Sequence, residues 1–349
     1  MYFKKIISLF NRTNILLISV SLCAVYFFLY YDEIFPIPEE IDVIDDSIIQ
    51  TKISYLPSLN TIDNIPLSIY YHHTTSNRNS SYPYISGDTL RAFSDYIYDE
   101  ERQDSLSSVT YGDIVFVKTD LISEFFSTPF DSIQQPFVLI THNGDKPSPG
   151  AYADQLSNPK ILHWFASNPS VQNHSKLTPI PIGLMNMRWP EGNIDKFKYA
   201  FKTHRKPWSQ RTRLLYVNFA LRTNIVQRKQ ALEQASKIKN VQIIKRRITF
   251  ETYLQQIGNV KYVLSPPGNG LDCHRTWEAL FMGAVPIVLT SDLDPVFTNT
   301  RSLIVNNWSN LTRNHLLSFD FSMNDHLLPD VLYAQYWREK IFQYKKYSM

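Results

Sequence analysis

Cysteine is almost missing from this 349-residue chain, occurring only at Cys23 and Cys273. The first lies in an apolar N-terminal run and the second far into the C-terminal half, so no disulfide can form within the globular part. A secreted, disulfide-built scaffold is thereby excluded. An excess of one charge is lacking too: 35 Lys and Arg stand against 32 Asp and Glu, a net charge of +3. That is small for a general nucleic-acid binder of this length. Glycine is absent from Leu214–Thr223, the first strand-to-helix turn of the C-terminal half, where a nicotinamide-binding fold needs a glycine-rich turn. What is present is apolar. Hydrophobic residues make up 44% and aromatic residues 14% of the chain, against 19% charged, enough for two domains with real cores and far too hydrophobic for disorder. Twenty prolines then mark ordered loops.

One long apolar run exists. Ile15–Tyr31 carries no charge, with Lys4, Lys5 and Arg12 before it and Asp32-Glu33 after it. This predicts a membrane anchor over residues 14–31 with a cytosolic tail at 1–13. The rival is a cleaved signal peptide, for which the aromatic end Tyr26–Tyr31 lacks small residues. Residues 32–60, acidic and with Pro36 and Pro38, read as a stem. Glycosylation triplets at Asn79, Asn173, Asn307 and Asn310 suit a lumenal chain.

The remainder reads as α/β, in two Rossmann-like domains over 61–206 and 207–349. In the first, Asp113–Lys118, Phe137–Thr141, Lys160–Ala166 and Leu177–Ile182 are short apolar runs ended by turn residues, with Thr89–Tyr98 and Leu121–Phe126 as helices. The basic stretch from Lys196 to Arg213 shows no obvious period and reads as a solvated linker. In the second, Leu214–Phe219, Val241–Lys245, Tyr262–Leu264 and Val285–Leu289 are strands, and Ile225–Lys237 and Phe250–Ile257 helices. Val331–Tyr344 closes the chain as a helix.

The most informative stretch is Lys261–Leu289. Ser265-Pro266-Pro267-Gly268-Asn269-Gly270 must stop the strand before it; Asp272 is a fitting N-cap, Cys273–Met282 the helix and Gly283 its left-handed end. Ligands of parallel sheets sit beyond such strand ends, and the free N–H groups at the helix start favour an anion. A helical wheel places Trp277, Leu280, Phe281 and Cys273 on the core face and His274, Arg275 and Glu278 toward the loop. These three suit a diphosphate (His274, Arg275) and a ribose or sugar diol (Glu278). Alternatively Arg275 and Glu278 form an i,i+3 ion pair. Arg222, at the first strand-to-helix turn, is either a phosphate ligand or surface charge, with Arg228 behind it. In the first domain His142 and Asp145, after the strand Phe137–Thr141, are candidates for base or acceptor contact, with Asp88 behind them; capping of the turn is the alternative.

The residues Pro267, Gly268, Arg275, Glu278, Ala279, Gly283, Pro286, Ile287 and Val288 resemble the donor-binding segment of exostosin-like glycosyltransferases, over about residues 260–290. The resemblance implies a GT-B arrangement of the two domains and a nucleotide-sugar donor, UDP-linked in the first instance. It places Pro267, Gly268, Asn269, Gly270, His274, Arg275 and Glu278 at the donor. It also implies a glycan acceptor, no tightly bound cofactor, no nucleic acid, and a type II protein of the Golgi or endoplasmic reticulum whose last helix crosses back to the first domain. A fucosyltransferase-like enzyme and a tethered carbohydrate-binding protein are the alternatives. No catalytic metal is expected. Asp292-Leu293-Asp294 has a D-x-D form but reads as a turn start, and His72-His73, pointing to opposite sides of an extended segment, cannot chelate one ion. Cys273 is expected to be a packed core thiol.

Overall fold

A computed structural model describes residues 78–321 and 327–345. The expected tail, anchor and stem, and the pair His72-His73, lie outside the described residues. No helix within them is long and apolar enough to cross a membrane.

The apolar runs of the first half form a parallel sheet in sequence order: β1 Tyr96–Tyr98, β2 Ile114–Lys118, β3 Phe137–His142, β4 Ile161–Ala166 and β5 Leu177–Pro179. Both faces are covered, as continuous apolar strands require. Ile114, Phe116, Val138, Ile140 and Phe165 face one core; Val115, Val117, Leu139, Trp164 and Ala166 face another. The helix expected over Thr89–Tyr98 stops early. The helix α1 spans Gly87–Ala92, capped by Ser86, and the backbone N–H of Asp95 donates to the Ile114 carbonyl at 2.9 Å. That bond starts strand pairing, and the β-forming triplet Tyr-Ile-Tyr continues it along β2.

The second sheet contains β6 Arg213–Val217, β7 Val241–Ile243, β8 Val260–Leu264, β9 Val285–Leu289 and β10 Leu303–Val305, in the order β10-β9-β8-β6-β7. The chain therefore reverses direction across the sheet between β6 and β8. Loops leaving two such neighbouring strands diverge and open a crevice.

The stretch after Gly192 is not a linker. Asn193 caps the backbone N–H groups of Asp195 and Lys196, and α2 runs Ile194–Thr203 with Ile194, Phe197, Ala200 and Phe201 buried. Its lysines occupy the outer face and hide an i, i+3, i+7 apolar stripe. Two of the arginines that follow, Arg205 and Arg211, are buried as well. Arg211 donates to the carbonyls of Val260 and Met282, both at 2.8 Å, and Arg205 lies 4.6 Å over Phe201. Both pack against Gly283, where φ is +72° and a Cβ would fall 2.6 Å from Arg205 Nε.

One apolar core joins the sheets. It takes Phe116, Ile140 and Phe165 from the first, Tyr216, Val263 and Val288 from the second, and Phe197, Phe201, Phe281, Trp337 and Ile341 between them. Phe281 is its hub, with ring centroids of Tyr84, Phe197 and Phe201 at 4.9, 5.3 and 5.5 Å. The C-terminal helix α3, Ala334–Phe342, lies against the first domain. Leu332 accepts from Ile85 and Pro83 from Ala334, both at 2.9 Å, Tyr344 stacks on His163 at 4.1 Å, and Lys345 pairs with Asp95 at 2.6 Å.

Candidate functional site

The crevice between β6 and β8 is walled by Asn218, Phe219 and Ala220 on one side and by residues 265–272 on the other. From the helix that follows this second wall, α4 His274–Phe281, Arg275 reaches back across the opening. Its Nη1 donates to the Asn218 carbonyl at 3.1 Å, and its Nη2 to the Pro266 carbonyl at 3.3 Å and to Cys273 Sγ at 3.1 Å. Arg228 comes from the helix α5 Ile225–Ala235. Its Nε donates to the Pro267 carbonyl at 3.0 Å and its Nη1 to the Ala220 carbonyl at 2.6 Å. Both guanidinium groups lie against Phe219, at 5.7 Å for Arg228 and 5.2 Å for Arg275.

Neither arginine joins any of the ion pairs among the described residues. Burial, and then the charge of Arg275, pulls the Arg228 guanidinium below its ordinary pKa. Arg275 Nε and Thr223 Oγ1 are buried without a hydrogen-bond partner. No side chain caps α4, and the first N–H groups of a helix have no partner within it. Two buried or half-buried cations whose hydrogen-bond partners are carbonyls and one thiol, without a carboxylate, at a helix N-terminus, can hold a multiply charged anion. Arg222, expected here from its place in the turn, stays exposed on the short turn Leu221–Thr223, and Arg228, one helical turn onward, takes that position.

The glycines of the loop make room for side chains. A Cβ on Gly268 would lie 2.8 Å from Arg228 Nη2, and one on Gly270 2.4 Å from Asn168 Oδ1. Asn168 then accepts from the N–H of Leu271 at 2.8 Å and donates to the Gly144 carbonyl at 3.3 Å. Asn269 donates to the Asp145 carboxylate at 3.0 Å. Loops from the two sheets are thus fastened together. Asp272 is not the helix cap. Its Oδ2 accepts from the Ile182 N–H at 2.9 Å and from Trp277 Nε1 at 2.7 Å, and burial pushes its carboxyl up to about 6. The cap position falls to Cys273, whose thiol sits half-buried beside Arg275 and away from the apolar core.

Glu278 lies below Arg275 and does not form the alternative i,i+3 hydrogen bond with it. Its Oε2 accepts from the Tyr253 hydroxyl at 2.8 Å, and burial pushes its carboxyl up to about 7. With Asn218, Arg247, Thr249, Tyr253 and Arg275 it lines a cavity of about 250 Å³.

His274 faces the other way. Its Nδ1 lies 2.9 Å from the Gly183 carbonyl, which can only accept, so Nε2 carries the lone pair. Burial pulls the ring down to about 4, which makes it neutral near pH 7. The cationic role expected of His274 is therefore replaced by that of an acceptor. A second cavity of about 250 Å³ opens there, lined by His142, Asp145, Asn168, Asn186, Trp189 and His274 among others. His142 is 1% exposed; its Nδ1 accepts the Asn143 N–H at 2.7 Å and its Nε2 donates to the Pro181 carbonyl at 2.9 Å. With both nitrogens engaged and its pKa lowered by burial, the ring has no free lone pair to act as a base. Asp145 is exposed in the same cavity. Asp88 is fully buried, accepting from Arg78 at 2.9 Å and Asn143 at 3.0 Å, and so supports the cavity floor.

Pattern reading did not single out Phe219, Arg247, Asn168, Asn186 or Trp189. Phe219 ended a strand and Arg247 sat in a basic run; only the exposed Trp-Pro in a turn-rich segment was a local signal. The D-x-D aspartates serve the turn: Asp294 accepts from Thr290 Oγ1 at 2.6 Å and Ser291 N–H at 2.9 Å, and Asp292 accepts from Gln172. Among the described residues no group of three or more His, Cys, Asp or Glu is placed to hold a metal ion.

No protein-family model matches the sequence, and no curated protein matches it. Among solved structures, the chain is similar to an α,α-trehalose 6-phosphate synthase from Burkholderia multivorans, with 12% identity over 67% of this chain and 71% of that one, at a TM-score of 0.38. It is also similar to a UDP-GlcNAc 2-epimerase from Methanocaldococcus jannaschii, with 12% identity over 66% of this chain and 76% of that one, at a TM-score of 0.32. Likenesses this loose carry no argument about activity, which must come from the side chains.

Proposed function

We propose that this chain is a glycosyltransferase of exostosin-like type that moves a sugar from a nucleotide-sugar donor, UDP-linked in the first instance, to a glycan acceptor. The observation that carries the reading is the pair Arg228 and Arg275: two guanidinium groups sharing Phe219 at the switch point, with no carboxylate partner. A diphosphate offers the two negative charges that they lack. Its nucleoside then lies in the cavity lined by Arg247, Tyr253 and Glu278, with Glu278 on the ribose diol. The sugar points past His274 into the second cavity.

In this reading Arg228, Arg275 and the open N–H groups of α4 stabilise the leaving diphosphate as its charge develops. His274 Nε2 accepts a hydroxyl of the sugar and orients it. Asp145, exposed in the acceptor cavity and oriented by Asn269, takes the proton of the attacking hydroxyl. His142 holds the Asn143 turn beneath it. The basic and acidic flanks of Ile15–Tyr31, and the exposure of Asn79, Asn173, Asn307 and Asn310, support a type II chain with its site in the lumen of the Golgi or endoplasmic reticulum. A shift in mass on glycosidase treatment of the expressed chain is expected there.

The test is release of nucleoside diphosphate from a panel of UDP-, GDP- and CMP-sugars with mixed glycan acceptors. Turnover of one donor is expected, with Asp145→Asn lowering kcat by roughly 10²–10⁴ while donor affinity holds. No turnover of any donor, or an unchanged kcat in the variant, would overturn this reading.

A further inference from the structure

The two cavities flank one helical turn, His274 on one side and Arg275 and Glu278 on the other, and they differ in charge. The nucleotide cavity has Arg247 and Arg275 in its lining. The acceptor cavity holds Asp120, Asp145 and Arg188, but Arg188 already faces Glu100 and Glu101 at 3.6 Å each. Asp120 faces Lys118 at 3.5 Å. Asp145 joins no ion pair among the described residues, and its hydrogen-bond partner is the neutral amide of Asn269. The remaining polar side chains are uncharged amides, a hydroxyl and imidazoles lowered by burial: Asn143, Asn168, Asn186, Ser167, His142 and His274. Such a lining offers donors and acceptors to hydroxyl groups and repels an anion.

At the rim stands Trp189, 52% exposed. The Arg188 guanidinium lies 5.5 Å from the centre of the Trp189 ring, a cation–π contact that helps hold the indole in place. Its loop is rigid. Trp189 N–H donates to the Asn186 carbonyl at 3.0 Å, and Gly192 N–H to the Trp189 carbonyl at 2.9 Å. A Cβ on Gly192 would lie 2.2 Å from the Asn186 carbonyl oxygen. Asn186 itself is locked to the floor, accepting from the Asp88 N–H at 2.9 Å and donating to Asn143 at 3.0 Å. The indole is therefore a preformed platform beside a cup of hydroxyl-binding groups. The C–H-rich face of a pyranose, positive at its hydrogens, complements the negative face of the ring.

We infer that the acceptor is an uncharged pyranoside that stacks on Trp189, and that Asp145 rejects acceptors carrying carboxylate or sulfate at that residue. The inference deepens the transferase reading by naming the acceptor class, and it is measurable without the donor. The probes are a panel of immobilised neutral oligosaccharides (gluco-, manno-, galacto- and N-acetylglucosamine series) and their uronate or sulfated counterparts. The protein is the full chain in a detergent without a sugar headgroup. Binding of a neutral glycan is expected, at least tenfold weaker in Trp189→Ala and largely restored in Trp189→Phe, with affinity for free UDP unchanged within twofold in both. Asp145→Asn should raise binding of the anionic counterpart severalfold. Preference for an anionic glycan, no neutral glycan bound, or binding indifferent to Trp189→Ala would each overturn the inference. Glycan binding that depends on Trp189 in a chain that binds no nucleotide would leave this inference standing and sink the transferase reading; nucleotide binding without it would do the reverse.

Discussion

Glu278 gives the residue scale its sharpest consequence. A carboxyl held up to about 7 by burial is ionised only above neutrality, and a diol is bound more strongly by a carboxylate than by an acid. The sign follows: below pH 7 the site must lose a proton before it binds, so donor affinity falls as pH falls. We expect a nucleotide-sugar, whose diphosphate diester does not titrate there, to bind about tenfold more weakly at pH 6 than at pH 8. Glu278→Gln should flatten that profile; calorimetry at three pH values decides. Asp272 has the opposite role in folding. Its raised value, about 6 against the ordinary 3.8, means that the native state holds a proton longer than the unfolded chain. Its contribution to stability is present below pH 3.8 and is lost as pH rises through 6. Asp272→Asn, keeping an oxygen for the N–H groups of Ile182 and Trp277, should match the wild type near pH 4 and exceed it at pH 8 by roughly 1–3 kcal/mol in urea unfolding. Equal stability of the two at pH 8 would count against it.

At the scale of elements, the helix α2 shows what a sequence conceals. Its apolar stripe Ile194, Phe197, Phe201 was there to read, but three lysines in ten residues drew the eye to charge. Asn193→Ala removes a cap that two N–H groups use and should cost about 1 kcal/mol. Phe197→Ala should cost about 3–5 kcal/mol; a loss under 1 kcal/mol for the latter would mean that the helix does not pack as described. The strands were legible because buried parallel strands are continuous apolar runs, and Phe137–His142 is the plainest. So was the loop-helix stretch 265–283, since its Pro-Gly cluster and Gly283 act locally. What was not legible depends on contacts across the chain. Arg228 in place of Arg222 is decided by the length of the turn before α5, the tautomer of His274 by a carbonyl 91 positions away at Gly183, and the loss of His142 as a base by Pro181. A helical wheel sets Glu278 apart from the core face, and Glu278 lines a cavity, yet the wheel cannot show Tyr253 waiting to donate to it.

For the whole molecule, the shared core decides how the site is held. Phe281, from the second half, contacts three rings of the first, so the walls of the two cavities are set by one body of packing. Phe281→Ala should lower stability by about 3–5 kcal/mol and do so in one transition followed both by near-ultraviolet signal and by backbone circular dichroism. Two separated transitions would show that the halves fold apart. The central claim, that Arg228 and Arg275 together hold a diphosphate, is tested most directly by titrating the full chain with UDP-glucose, UDP-N-acetylglucosamine, UDP-galactose and the corresponding GDP- and CMP-sugars in a calorimeter. One nucleotide class should bind, and Arg228→Ala and Arg275→Ala should each weaken it by roughly 10- to 100-fold, the size expected for charge-assisted hydrogen bonds. Binding that survives the loss of both arginines, or no binding by a folded chain, would contradict the account.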